Sequence, residues 1–340
     1  MSKKTKFDKI MLAHGSGGKA MHDLISSLIV PAFSNPRLEP LDDSALLQIG
    51  DRTVAFTSDS YTVDPIFFPG GDIGRLAVCG TVNDLAVCGA VPFALSCALI
   101  IEEGLPTADL QRILDSMKSS ASEAGVEIVT GDTKVLQHGK GDKIFINTSG
   151  IGLLPRHRAP LPGKAVAGDA VLVNGPIADH GAAVMAEREE YALRAEISSD
   201  VAPLSDLIET LLAAVPEAHC LKDPTRGGVA SALNEIASAS RMTIVLNEEA
   251  IPVRKPVAGL CELLGLDPLY FANEGKVLAV VPGERAEDAL EALKSHPLGR
   301  EAAIIGVVKE FDRVPLAVKT PFGSHRVVSM LTGEQLPRIC

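Results

Sequence analysis

The sequence contains no tryptophan, and aromatic residues make up only 4% of it. Proteins that stack bases need aromatic faces, so a single-strand-binding platform is excluded. Positive charge is scarce as well: 32 Lys and Arg stand against 43 Asp and Glu, a net charge of −11. No basic run exceeds Lys3, Lys4 and Lys6. Without a basic patch, no nucleic-acid partner is expected. None of the six cysteines forms a C-x-x-C pair, which removes the zinc-knuckle and thioredoxin-type motifs. The opening MSKKTKFDK is charged and leads into no uninterrupted apolar stretch, so no secretory signal is expected. The long uncharged run, Leu85 to Ile101, is short for a membrane span and contains Gly89 and Pro92. It reads as a buried helix end, a turn and a buried strand. The expected compartment is the cytoplasm, with reduced thiols and no membrane partner.

What is present is an ordinary globular balance. The chain has 340 residues, 46% hydrophobic and 22% charged, enough for about two domains. Ala45–Ile49 and Thr53–Thr57 flank Gly50-Asp51 and predict a hairpin. Helical spacing covers Ala20–Val30, Asp72–Cys88, Pro106–Ala124 (with Thr107 as cap and Gly125 as stop), Ala178–Glu189, Pro203–Val215, Arg226–Ser240, Lys255–Leu264 and Arg285–Ser295. Strands are predicted at Phe93–Ile101, Glu127–Leu136, Lys143–Leu154, Asp169–Asn174, Thr243–Leu246, Val277–Val281 and Ala302–Val308. The Pro-rich, basic stretch Arg156–Ala167 predicts a domain boundary. The early hairpin favours antiparallel pairing, hence two α+β domains. The division is a glycine-rich arm and helix over 1–35, domains over 36–155 and 165–325, and a tail over 326–340.

Acidic residues recur at turn-like positions: Asp42 and Asp43 in LDDSA, Asp59 in TSDS, Asp84 in VNDLA, Asp132 in TGDTK, Asp223 in KDPTRGG. Singly, each reads equally well as a turn or cap residue. Carboxylates that converge from several elements repel unless a cation lies between them, and Mg²⁺ suits such a set because it shares its shell with water and phosphate. His14-Gly15-Ser16-Gly17-Gly18 offers free backbone N–H groups to phosphates, although it lacks the Walker A pattern. Taken alone, it reads as well as a flexible arm. Lys134 and Glu274 are candidate polar site residues at strand ends. The tail GEQLPRIC has too few apolar residues to fold alone, so Cys340 is expected on a mobile, exposed arm stiffened by Pro337.

Together HGSGGKAMHDLI, LDDSALL, TSDSYTVDPIFFPGGDIGRLAVCGTVNDLAVCGA, GDTKV, KDPTRGGVASALNEIA, ANEGK and the terminal PRIC resemble the carbamoyl dehydratase family of hydrogenase maturation factors, within the PurM-like ATP-binding superfamily. The match runs from about His14 to Cys340. The resemblance implies a two-domain PurM-like fold. It also implies an activity: ATP-dependent dehydration of a carboxamide carried on the sulfur of Cys340, giving a thiocyanate that supplies cyanide to the iron of [NiFe]-hydrogenase. Asp43, Asp84 and Asp223 are then the Mg²⁺ ligands. Gly15, Ser16, Gly17, Gly18, Asp42, Asp59, Asn83, Asp132 and Thr133 face ATP. Glu274 is the base, and Lys134 stabilises developing charge. The implied partners are a HypF-like carbamoyltransferase, a HypC–HypD-type iron scaffold and a second copy of the chain. An alternative in the same fold is a kinase or synthetase such as selenophosphate synthetase. It needs a nucleophile near the glycine-rich arm, and no Cys precedes Cys79. A carrier or scaffold with a vestigial nucleotide site is the reading from another class.

Overall fold

The computed structural model describes residues 7–155, 165–188, 196–333 and 338–340. Most of the expected boundary stretch, the basic N-terminal cluster, Glu189 and Pro337 lie outside the described residues. The opening segment is a 3₁₀ turn at Leu12–Gly15, then α1 (Lys19–Leu24), a π turn (Ile25–Ile29) and α2 (Val30–Phe33), so the helix expected at 20–30 is broken into pieces.

The first sheet has five strands: β1 (Ala45–Ile49), β2 (Arg52–Tyr61), β5 (Val91–Glu102), β6 (Glu127–Leu136) and β7 (Ile144–Leu154), in the order β1-β2-β7-β5-β6. A short ribbon, β3 (Phe67–Phe68) with β4 (Gly71–Asp72), precedes the helices. Within this five-stranded sheet, among the described residues, only β5–β6 is parallel. The hairpin β1–β2 pairs as the sequence predicts. Helices α3 (Ile73–Val87) and α4 (Thr107–Glu123) pack on this domain. Asp72 caps α3, accepting from the N–H groups of Gly74 and Arg75 at 2.7 and 3.0 Å. Thr107 is not the cap of α4: Pro106 occupies that position and Thr107 begins the helix. An apolar surface nearly all round α3 means burial on every side. Its last turns touch the second domain, where Asn83 donates to the Ala202 carbonyl and accepts from Leu204 N–H.

The second sheet has seven strands: β8 (Ala170–Val173), β9 (Cys220–Lys222), β10 (Met242–Asn247), β11 (Leu278–Val281), β12 (Ala303–Glu310), β13 (Leu316–Lys319) and β14 (His325–Val327), in the order β14-β13-β10-β12-β8-β11-β9. Alternate residues of one strand enter different cores, as pleating requires. Val171 and Val173 pack with α7 (Gly228–Ser240) and α8 (Lys255–Leu264). Ala170 and Leu172 pack with α6 (Ser205–Ala214) and α9 (Ala286–Ser295). The remaining helix, α5 (Asp179–Glu187), carries His180.

The tail departs from expectation. Ile339 and Cys340 are buried, 4% and 7% exposed, and belong to the core of the first domain. In isolation the arm has too few apolar residues to fold. Here the body of the protein satisfies the arm's backbone: Asp64 N–H and the Arg188 guanidinium donate to the Arg338 carbonyl, and Thr62 N–H donates to that of Cys340. Arg338 in turn donates to the Thr62 carbonyl and pairs with Asp142.

Candidate functional site

The loop before β1, strand β2, the end of α3 and the end of β9 bring three carboxylates together. One oxygen each from Asp43, Asp84 and Asp223 lies within 4.8 Å of the others. Thr57 on β2 locks the arrangement, its hydroxyl meeting the Asp43 carbonyl at 2.9 Å and Asp84 Oδ2 at 2.8 Å. Burial pushes the Asp84 carboxyl well above the usual range, and Asp59, Asp223 and Asp43 push it further. Burial and Asp43 likewise raise Asp223, to about 7. Asp42, next in line, rises to about 6 through burial and Asp43, with Lys222 opposing. A buried carboxylate cluster with raised affinity for protons is what a hard divalent cation replaces protons in, so the donor set fits Mg²⁺. The positive charge already present is Lys222, whose ammonium lies 2.6 Å from Asp43 and 3.2 Å from Glu235.

Beside the cluster stands the end of the chain. Arg226, in the loop before α7, lines the same small cavity as Cys340. Its guanidinium is held firmly charged, first by Cys340 and then, against burial, by Asp59 and Glu274. Burial pushes the thiol up to about 12; Arg226 opposes this, while Glu274 and Asp59 add to it. Glu274 is itself 3% exposed and has no hydrogen-bond partner for Oε1 among the described residues. Burial, Asp223 and Asp200 raise its carboxyl well above normal. Asp200 shapes this loop by accepting from the N–H groups of Glu274 and Gly275, and it pairs with Lys276 at 2.9 Å.

A cavity of about 150 Å³ opens at the thiol, lined among others by Gly15, Ser16, Thr62, Arg226, Gly227 and Cys340. It admits a few heavy atoms, a small planar group on sulfur and not a nucleotide. The glycines of the arm are needed for close approach: a Cβ on Gly17 would stand 2.4 Å from the Arg226 carbonyl oxygen, and one on Gly18 2.2 Å from that of Leu331.

The fold therefore gathers Asp42, Asp43, Asp59, Asp84, Asp223, Glu274, Cys340 and the Gly15–Gly18 arm. Asn83 sits behind them, joining α3 to the second domain. Asp132, Thr133 and Lys134 stand on the exposed edge strand β6, where Lys134 donates to both oxygens of Asp132. Within one chain they are not part of this group. Arg226, Lys222 and Thr57 were missed. The DPTRGG motif contains Arg226, but nothing in its local pattern distinguishes it from a surface arginine.

Two family models match the chain: AIR synthase related protein, N-terminal domain, over residues 41–154, and the C-terminal domain of the same family over residues 166–319. The class is thus a two-domain AIR synthase related protein. Carbamoyl dehydratase HypE of Azotobacter vinelandii is 51% identical over 331 residues, 97% of each chain. A crystal structure of HypE in complex with ATP is 49% identical, with a TM-score of 0.82 covering 98% of this chain and 100% of that one. HypE in a crystallised HypE–HypF complex is 48% identical, with a TM-score of 0.86 covering 91% and 99%. The chain belongs to the HypE carbamoyl dehydratase family.

Proposed function

We propose that the chain dehydrates a carboxamide borne on Cys340, using ATP. The observation that carries the reading is the burial of the terminal thiol in a cavity it shares with Arg226, where the buried Glu274 and Asp59 also act on it electrostatically. The carboxamide oxygen attacks the γ-phosphorus of ATP and ADP leaves. The N–H protons then go to bases and the O-phosphoryl group departs as phosphate, leaving S–C≡N. Arg226 faces the charge that develops on oxygen. Glu274, unpartnered and strongly basic for a carboxylate, takes a proton. Asp43, Asp84 and Asp223 would hold Mg²⁺, which supplies charge neutralisation between an acidic protein and an acidic nucleotide. The Gly15–Gly18 arm closes over the thiol end of the site.

The carbamoyl group comes from a HypF-like carbamoyltransferase, and the cyanide passes to a HypC–HypD-type iron scaffold. A crystallised HypE–HypF complex among the relatives supports the first partner. A homodimer is supported by the open face of the first sheet, where Phe56, Val91, Phe93 and Ile151 are 42%, 51%, 61% and 39% exposed. A second copy covering that domain would bring Asp132, Thr133 and Lys134 of β6 into an interface. No helix among the described residues is long and apolar enough to cross a membrane.

The test is mass spectrometry of the C-terminal peptide after incubation with the transferase, carbamoyl phosphate and ATP. The expected product is lighter than the carboxamide by one water, and Cys340→Ala abolishes the ATP cleavage that accompanies it. Undiminished ATP cleavage in Cys340→Ala would sink the reading.

A further inference from the structure

The buried imidazole of His180 has no part in the chemistry above, yet it touches the arm that carries the substrate. It is fully buried near the start of α5. Nε2 lies 2.8 Å from the Ile339 carbonyl oxygen, and Nδ1 lies 2.8 Å from Ser199 Oγ. A carbonyl only accepts, so Nε2 carries the proton. Burial holds the ring below its ordinary pKa, hence neutral, which leaves Nδ1 bare and makes Ser199 the donor. Ser199 is fixed in turn: its hydroxyl oxygen accepts from Val201 N–H at 3.1 Å, and its own N–H donates to the Pro69 carbonyl at 2.8 Å. The edge of the ring packs against Phe68 at 5.3 Å between centroids. Next in sequence, Asp200 holds the N–H groups of Glu274 and Gly275. One short segment thus orients the candidate base directly and the substrate arm through His180.

We propose that His180 is a positioning residue for the dehydration step, a Ser199-oriented clasp that holds the Ile339 carbonyl and so sets Cys340 in register with Arg226 and Glu274. The proposal rests on the dehydratase reading for its consequence, but the clasp itself is measurable without any chemistry. A neutral clasp suits an arm that must leave. Releasing one uncharged hydrogen bond exposes no buried ion, whereas breaking a buried ion pair would.

The experiment compares wild type, His180→Leu and His180→Gln as full-length chains. The first readout is the alkylation rate of Cys340 by iodoacetamide, followed on the C-terminal peptide. The second is single-turnover dehydration of the carbamoylated chain with ATP. His180→Leu fills the site but donates nothing to Ile339. It is expected to speed alkylation by about tenfold and to slow dehydration by a similar factor, on the scale of one lost buried hydrogen bond. His180→Gln, with one donor and one acceptor, is expected to restore most of both. Leucine behaving as wild type in alkylation, or glutamine as impaired as leucine, overturns the proposal. Should His180→Leu fail to fold, Ser199→Ala decides: alkylation equal to wild type overturns the clasp, and faster alkylation supports it. Wild-type chain that never dehydrates, with alkylation still governed by His180, would remove the dehydratase reading and leave the clasp standing.

Discussion

Adding Mg²⁺ without nucleotide should stabilise the protein more as pH rises. Asp223 has its carboxyl at about 7 in the folded cation-free chain against 3.8 in the unfolded one, because burial and Asp43 disfavour its charge. A group raised on folding binds more protons in the native state, so its stabilising contribution is intact below pH 4 and is lost as pH climbs through 7. Three units correspond to roughly 4 kcal/mol at 1.36 kcal/mol per unit, of which about half falls between pH 5.5 and 8. Asp84 moves in the same direction and shares the titration, so the cluster responds as one coupled group. For 340 residues, with about 2.1 cal/mol/K of unfolding entropy each, a 2 kcal/mol loss lowers Tm by roughly 3 °C. A cation bound to the folded cluster displaces those protons and opposes the loss. Scanning calorimetry from pH 5.5 to 8, with EDTA or with saturating Mg²⁺, is the assay. The expected result is a Tm that declines with pH in EDTA relative to Mg²⁺, with the Mg²⁺ shift several degrees larger at pH 8. A shift that is equal at both ends, or larger at pH 5.5, would refute the assignment of these carboxylates to a cation site.

Asp84→Asn removes one of the mutually repelling carboxylates and is expected to raise Tm in EDTA at pH 8 by about 1–3 °C while cancelling most of the Mg²⁺ shift; an undiminished shift would place the ligand elsewhere. Arg226→Lys preserves the charge but loses the planar fork, and single-turnover dehydration should fall roughly 10²-fold with Tm nearly unchanged. Wild-type rates would free Arg226 from the chemistry. Ile339→Ala withdraws about 2–3 kcal/mol of buried hydrocarbon from the arm. The arm can undock without unfolding the domain, so Cys340 alkylation should accelerate tenfold or more while Tm drops by only a few degrees. Unchanged alkylation would show that the arm is held by other means.

Much of the fold is legible in the sequence because most of its elements are periodic over long stretches. Asp72–Cys88 reads as a helix from its spacing, and α3 covers Ile73–Val87, buried along most of its length. Strands β9, β13 and β14 escape the sequence reading: β9 and β14 have three residues, and the four-residue β13 stands close behind Pro315 with no alternation of its own. The acidic cluster is legible only in part: the recurring Asp at turn-like positions suggests a set, the family resemblance picks out Asp43, Asp84 and Asp223, and Asp132 of the same set stands apart on exposed β6. Arg226 and His180 are not: their roles come from a cavity shared with Cys340 and a hydrogen bond to Ile339, more than a hundred positions away in the chain. The tail is the sharpest case. GEQLPRIC is too polar to fold by itself, yet its last two residues are buried because their carbonyls find partners in His180 and Thr62, while Arg188 holds the Arg338 carbonyl just before them.

That docking constrains the order of events. Inside the pocket the thiol is held to about 12 by burial, and Glu274 and Asp59 press in the same direction. A thiolate is the nucleophile for carbamoylation, so the docked sulfur is a poor acceptor and loading belongs to the undocked arm. The bare docked thiol is neutral but offers the neighbouring carboxylates only a weak S–H donor, whereas the carboxamide offers them N–H groups. The same carboxylates then favour the loaded arm over the bare one, since Glu274 can take the N–H protons that the thiol offered only at high pH. Docking is thereby biased towards arms that carry substrate. Measured on matched samples, wild-type chain bearing S-carboxamide should protect the Ile339 amide from hydrogen exchange more strongly than bare chain, and Glu274→Gln should shrink the difference. Equal protection of the loaded and bare arms would leave the neighbouring carboxylates without a part in choosing between them.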